Sequence, residues 1–187
     1  EGVKNCVEAG MHNLIHCSWL SSDPAELYDY GPEVADKIAE NRIYVDPTLA
    51  LPHLNRLRAR PIKPDSGAMG DPEKRFEILR DMWDRGVKFV TGMDSGMTNA
   101  RFGDFAYIPE VMVNDMHISP LEAITCATKT SAECLGMEDE IGTLDKGKSA
   151  DIVVINGEPS EDISTLHSVN TIISQGKLVK SQNNLLI

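Results

Sequence analysis

Apolar residues recur along the chain in short runs that alternate with stretches of helical spacing. Three runs have the length and apolar character of buried strands, and they lie near positions 13, 43 and 87. Before the third run, Phe76, Leu79 and Trp83 share one face of a helix that Asp71 and Pro72 open. Strands that alternate with helices are typical of a parallel sheet. The pattern therefore predicts an α/β fold.

A further helical stretch follows Ser119. Ser119 can cap this helix, and Glu122, three residues on, can return a bond to the Ser119 backbone N–H. A second helical turn then leads to Gly136, a residue that commonly closes helices because it adopts positive φ without strain. We expect the helical part of the chain to end there.

The spacing becomes strand-like after Gly142. Residues 150–157 and 169–181 form β-branched runs, and the second run bends at a Gln-Gly pair as hairpins do. Two or three strands alone make a marginal sheet, so we expect them to pair with strands from elsewhere. The change divides the chain into residues 1–141 and residues 142–187.

Composition and charge exclude several classes of protein. The chain has 187 residues, of which 41% are hydrophobic and 25% charged, as in ordinary globular domains. No apolar run approaches the roughly 18 residues of a membrane span, and no signal peptide opens the chain, so we expect a soluble, cytoplasmic protein without a membrane partner. The formal net charge of −11 argues against nucleic acid as a partner. The four cysteines form no C-x-x-C pair and are expected to be reduced thiols.

The first residues lack an initiator Met and resemble the last turns of a helix closed by Gly10. We therefore expect this sequence to be part of a longer protein.

Two side chains follow strand-like runs in positions that suit catalysis. Asp94 comes after the third run and His16 after the first, and in (β/α) barrels catalytic groups lie where the strands end. Asp94 suits metal ligation or proton transfer, but an Asp before Ser and Gly is equally typical of a turn. By spacing alone, His16 is more typical of a core histidine bonded to backbone. The residues themselves leave both alternatives open.

Four segments in this order resemble the C-terminal half of the amidohydrolase superfamily. They are AGMHNLIHC, YVDPTLA, GVKFVTGMDSG and the run from Ser119 to Asn156, which is the most specific. Imidazolonepropionase-like and Xaa-Pro or Xaa-Arg dipeptidase-like enzymes are the most similar branch. The resemblance covers nearly the whole chain. It implies the C-terminal part of a (β/α)8 TIM-like barrel, strands six to eight, followed by C-terminal strands of a small β-sandwich.

The resemblance also implies a metal-dependent hydrolase that acts on carbon–nitrogen bonds in a small amide, cyclic amide or dipeptide. His16 corresponds to a metal ligand at the end of the sixth barrel strand. Asp94 corresponds to the residue of the eighth strand that binds metal and is the general base for the attacking water. The implied cofactor is one or two divalent ions, commonly zinc. Where many relatives read IEHG and GTD, this chain has Cys17 after His16 and Met93 before Asp94.

The superfamily's first-strand His-x-His, fourth-strand lysine and fifth-strand histidine have no candidates in this sequence. His16 and Asp94 are fewer than the three protein ligands of a typical catalytic zinc site. We therefore expect the chain alone to be inactive and its partner to be the missing N-terminal half of the barrel. The alternative is a noncatalytic half-barrel, a binding or structural module that forms homo-oligomers to cover its exposed strand edges.

Other polar residues are weaker candidates. Three side chains on loops could contact substrate: His53, Arg101 and Asp104. Three arginines near His53 could bind a substrate carboxylate in bidentate fashion, although a solvated basic loop is the favoured interpretation: Arg56, Arg58 and Arg60. Cys17 is expected to be a small buried hydrophobe rather than a ligand. Of the remaining histidines, His12 is interpreted as a surface turn residue, and His117 and His167 are interpreted as structural.

Overall fold

The computed structural model describes residues 1–23, 25–49, 54, 71–96, 100–182 and 184–186. The α-helices in these ranges are α1 (Gly2–Glu8), α2 (Pro32–Glu40), α3 (Pro72–Asp84), α4 (Tyr107–Asn114), α5 (Pro120–Thr125) and α6 (Ser131–Leu135). The strands are β1 (Asn13–Ile15), β2 (Tyr44–Asp46), β3 (Lys88–Phe89), β4 (Ile152–Ile155), β5 (Val169–Ser174), β6 (Lys177–Ser181) and β7 (Asn184–Leu185). In the described part of the chain, no helix is both long and apolar enough to cross a bilayer.

Strands β1, β2 and β3 form a parallel sheet in that order. Leu14 pairs with Val45, and Val45 pairs in turn with Phe89, so the three strands lie in register near their carboxyl ends. The predicted α/β arrangement is therefore confirmed. Because parallel strands end at the same edge of a sheet, the residues that follow them are brought together.

Helix α3 shows why the sequence forms its local structure. The Asp71 carboxylate accepts a hydrogen bond from the Glu73 N–H at 3.0 Å, and Pro72 occupies the first turn, where its missing N–H costs nothing. The helix buries Phe76 and Leu79 in the core, as their spacing predicts. It also buries Arg75, whose charge gave no such indication.

Helices α5 and α6 are joined by a π-helix over Cys126–Thr130. The Ser131 hydroxyl donates to the carbonyl of Cys126 at 2.7 Å, which provides a side-chain bond across this wider turn. Gly136 ends the stretch with φ 65°, as predicted. The π-helix was not predicted, because one extra residue in a turn leaves no distinct apolar spacing.

Strands β4 to β7 form an antiparallel sheet in chain order. Ser174 pairs with Lys177 across the predicted hairpin, and the two turn residues, Gln175 and Gly176, both have positive φ, which suits a tight hairpin turn. Just before β5, His167 contacts helix α4: its ring Nε2 lies 2.7 Å from the carboxylate of Glu110. Three features stay predictions: a second sandwich layer, the numbering of β1 to β3 as barrel strands six to eight, and the boundary after residue 141.

Candidate active site

The carboxyl edge of the parallel sheet carries polar side chains from all three strands. His16 follows β1 directly, Asp46 is the last residue of β2, and Asp94 lies in the loop after β3. His16 and Asp94 are exposed, with backbone φ values of 70° and 49°. Such left-handed conformations are uncommon outside glycine and occur often at functional sites.

Asp46 links the ends of β2 and β3. Its side chain is buried, and its Oδ1 accepts hydrogen bonds from the backbone N–H groups of Thr48 and Gly92, each at 3.0 Å. Burial raises the pKa of Asp46, while these two bonds and the neighbouring His16 oppose the increase and Asp94 adds to it. Both His16 and Asp94 are thus close enough to Asp46 to influence its charge.

Gly92 is required by the position of this carboxylate. A Cβ atom at Gly92 would lie 1.9 Å from Oδ2 of Asp46 and 2.8 Å from its Cγ. Only a residue without a side chain allows the strand to approach Asp46 so closely. The glycine two positions before Asp94 therefore has a local steric role.

His16 is held by its backbone and by its ring. Its N–H donates to the carbonyl of Asp46 at 2.8 Å, and its ring Nδ1 lies 3.0 Å from the hydroxyl of Thr48. Among the described residues, nothing forms a hydrogen bond with the other ring nitrogen, Nε2. That nitrogen is therefore the one available to a ligand.

A buried cation lies behind these strand ends. Arg75 of α3 donates through Nη2 to the carbonyl of Pro47 and, at 3.5 Å, to the carbonyl of His16. Its side chain is 7% exposed, burial lowers its pKa, and its Nε has no hydrogen-bond partner within the described residues. The guanidinium thus contacts the backbone at the ends of both β1 and β2.

Cys17 is also buried, and burial raises the pKa of its thiol to about 12. These observations agree with the prediction that Cys17 is a small hydrophobe.

Of the three side chains predicted to contact substrate, Arg101 and Asp104 lie within the described residues. Arg101 and Asp104 contact each other in the loop after Asp94, where the Arg101 N–H donates to the Asp104 carboxylate at 2.8 Å around a short 3₁₀ helix. Their contact with a substrate stays a prediction. His53 lies outside the described residues, as do the arginines that follow it: Arg56, Arg58 and Arg60.

Two other histidines make contacts that suit structural roles. The Nε2 of His12 lies 2.8 Å from the carbonyl oxygen of Cys134, and His167 contacts Glu110. The carbonyl of His117 accepts a hydrogen bond from Arg80 at 2.7 Å. None of these contacts involves the edge that carries His16.

The imidazole and carboxylate groups at this edge are of the kinds that bind divalent metals, but they are few. In the part of the chain that the structure describes, no group of three or more His, Cys, Asp or Glu side chains is arranged to hold a metal ion. A catalytic zinc site commonly uses three protein ligands. The described residues therefore do not form a complete metal site.

Sequence reasoning missed Asp46 and Thr48. Both lie at the end of a strand-like run, and the same positional criterion that singled out Asp94 applies to them. Their proximity to His16 depends on strand pairing, which the local pattern does not reveal.

Comparisons with known proteins add a family assignment. The model of the amidohydrolase family matches residues 3–179. An imidazolonepropionase from Solibacter usitatus is 25% identical over 147 residues, which cover 78% of this chain and 34% of that protein. A 5-methylthioadenosine/S-adenosylhomocysteine deaminase from Moorella thermoacetica is 26% identical over 126 residues, which cover 57% of this chain and 29% of the deaminase.

A solved structure supports the same relation. The crystal structure of a Xaa-Pro dipeptidase with bound methionine in the active site matches with a TM-score of 0.79 and 26% identity, over 96% of this chain and 42% of that one. The chain therefore spans less than half the length of each of these three proteins.

Proposed function

Because this chain belongs to the amidohydrolase family, we propose that it contributes one part of a metal-dependent active site that hydrolyses carbon–nitrogen bonds. The observation that carries the proposal is the meeting of three parallel strand ends at one edge, with His16 and Asp94 exposed there. The substrate is a small amide, cyclic amide or dipeptide. The similarity to a dipeptidase and a deaminase supports carbon–nitrogen bonds as the general class.

In this proposal His16 and Asp94 are metal ligands, and Asp94 is also the general base. A bound divalent ion, commonly zinc in this family, would lower the pKa of water to about 7 and polarise the scissile carbonyl. Asp94 would accept the proton of the attacking water and return it to the leaving nitrogen. Its exposure at the strand end suits a group that must reach both water and substrate.

The remaining ligands would come from a polypeptide segment outside these 187 residues. Two donors do not complete a catalytic zinc site, so the chain alone would lack hydrolytic activity. The partner would be the N-terminal half of the barrel, and the protein would work in the cytoplasm. The negative net charge of −11 makes nucleic acid an unsuitable partner.

A second candidate is a noncatalytic half-barrel that self-associates as a binding or structural module. One observation favours it: in the described residues, β1 and β3 each pair with a neighbour on one side only. Unpaired strand edges favour association with another chain. Such a module would have no requirement for metal.

Zinc content distinguishes the two candidates. The purified chain is stripped with a chelator, reloaded with zinc and examined by elemental analysis and titration calorimetry, beside His16→Ala, Asp94→Asn and the double variant. If the two residues are ligands, the chain binds zinc weakly through this incomplete pair, and each substitution weakens binding further. His117→Ala is the matched control, because His117 is exposed and its carbonyl accepts a hydrogen bond from Arg80 rather than from a residue of this edge, and the zinc binding of this variant should equal that of the parent chain.

Zinc binding that persists unchanged in the double variant would contradict the ligand assignment. Tight, stoichiometric zinc that is lost in the double variant would support the ligands but contradict the expectation of inactivity, since the site would then be assembled by this chain. A dimer of constant size with no zinc binding in any variant would favour the module.

A further inference from the structure

Thr48 has a backbone conformation that β-branched residues rarely adopt. Its φ is 48°, in the left-handed region where a threonine side chain is strained. Asp46 accepts its N–H at 3.0 Å, and Arg75 donates to the carbonyl of the preceding residue, Pro47. A strained residue persists only when its surroundings hold it from several sides. Thr48 is held in this way.

The hydroxyl of Thr48 lies 3.0 Å from Nδ1 of His16, 32 positions earlier in the chain. A neutral imidazole has one protonated nitrogen and one with a free lone pair, and the bond made by one nitrogen decides the state of the other. If Nδ1–H donates to Thr48 Oγ1, the lone pair lies on Nε2. Nε2 is also the nitrogen without a hydrogen bond among the described residues.

We propose that Thr48 is a positioning residue for His16: its hydroxyl accepts the Nδ1 proton and orients the ring so that Nε2 faces the metal. This inference rests on the proposed role of His16 as a ligand. Partners of this kind fix the tautomer and orientation of coordinating histidines. The ring's tautomer is nevertheless a property that can be tested without any metal.

Asp46 extends the same support to the neighbouring strand. The oxygen that holds the Thr48 N–H, Oδ1, also accepts the N–H of Gly92 at 3.0 Å. Gly92 lies two residues before Asp94. The Asp46 carboxylate therefore joins Thr48, which contacts His16, to the segment that carries Asp94, the second proposed ligand. Asp46 supports the two proposed ligands indirectly, through Thr48 and Gly92.

The test begins with the tautomer of His16 in the metal-free chain. Long-range ¹H–¹⁵N NMR at about pH 8.5, where imidazole side chains are generally neutral, distinguishes a protonated from an unprotonated ring nitrogen. A His16→Gln variant identifies the His16 signals among those of the five histidines. We expect the proton on Nδ1. A proton on Nε2 in the parent chain would overturn the proposal without any Thr48 variant.

Two substitutions then separate the hydroxyl from the shape of the side chain. Thr48→Val keeps the β-branched outline and removes the acceptor, so the His16 ring should lose its preference for Nδ1–H. Thr48→Ser restores the hydroxyl and should restore the parent signal. An unchanged His16 tautomer in folded Thr48→Val would overturn the proposal. If Thr48→Val does not fold, the parent chain and Thr48→Ser still decide, because both must have the proton on Nδ1.

Zinc affinity provides a separate measurement. Loss of such a supporting contact typically weakens metal binding by about 10- to 100-fold, so Thr48→Val should bind zinc that much more weakly than Thr48→Ser. Equal affinities would overturn the link between Thr48 and the metal. Failure of the parent chain to bind zinc would count against the proposed function, whereas the tautomer measurement would still decide whether Thr48 positions His16.

Discussion

Gly92 and Asp46 lie so close that each restricts the other. A methyl group at position 92 would meet both Oδ2 and Cγ of Asp46 well inside contact distance. Asp46 cannot turn away freely, because its Oδ1 is bound by the N–H groups of Gly92 and Thr48. The contact explains the glycine before Asp94 without any appeal to backbone conformation.

We expect Gly92→Ala to lower the free energy of unfolding by about 1–3 kcal/mol, the usual cost of forcing an extra methyl group into a packed site. Urea unfolding of the chain measures the change. The matched control is Gly103→Ala, because Gly103 is exposed on a short 3₁₀ helix and a Cβ there would meet no atom within 4 Å. The control should stay within about 0.5 kcal/mol of the parent chain. Equal effects of the two substitutions would contradict the steric role of Gly92.

Among the elements, helix α5 has the clearest local signal. Its capping box is formed as predicted: the Ser119 hydroxyl accepts the Glu122 N–H at 3.4 Å, and the Glu122 carboxylate accepts the Ser119 N–H at 3.2 Å. The bonds join residues three apart, so the sequence pattern alone was sufficient to predict them. The helix continues through the π-helix into α6, whose Ser131 hydroxyl lies 3.4 Å from the N–H of Thr91 beyond β3.

Ser119→Ala should destabilise the chain by about 1 kcal/mol, because it leaves an N–H at the helix start without its acceptor. Thermal or urea unfolding detects the change. Thr125→Ala is the control on the same helix: its exposed hydroxyl bonds to the carbonyl of Leu121, which stays bonded within the helix when the hydroxyl is removed. A Ser119→Ala chain as stable as Thr125→Ala would show that the capping box contributes little.

At the scale of the whole molecule, buried thiols make stability depend on pH. Burial raises the pKa of Cys126 to about 12 from an ordinary value of 9.0, and Cys17 is raised similarly. Between pH 9 and pH 12 the thiol ionises in the unfolded chain but stays neutral in the folded one. The free energy of unfolding therefore keeps the whole contribution of the buried thiol below pH 9 and loses it as the pH rises towards 12.

The parent chain should therefore lose stability between pH 8 and pH 10 more steeply than Cys126→Ala. One thiol accounts for a difference of about 1.4 kcal/mol over this interval, since one pH unit above the unfolded pKa corresponds to about that energy. Urea unfolding under reducing conditions at both pH values measures it. The comparison uses the change with pH, so the smaller side chain of the variant does not affect the result. Parallel losses in both chains would contradict the burial of Cys126.

The family assignment made from motifs is confirmed by the match over residues 3–179. The motifs are local: His16 and Asp94 each follow a strand-like run, and the caps and the hairpin depend on residues two to four positions apart. Such features are determined by the chain itself, because hydrogen bonds and side-chain spacing within one turn or strand follow directly from the order of residues.

Tertiary structure alone decided which side chains surround His16. The hydrogen bonds between Gly92 and Asp46, between His16 and Thr48, and between Arg75 and Pro47 join residues 46, 32 and 28 positions apart. They form because parallel pairing brings the ends of β1, β2 and β3 to one edge and because α3 packs behind it. The spacing of residues along the sequence does not reveal how these strands pair. The sequence therefore determined the elements and the two candidate residues, and the packing of distant segments determined how those residues are held.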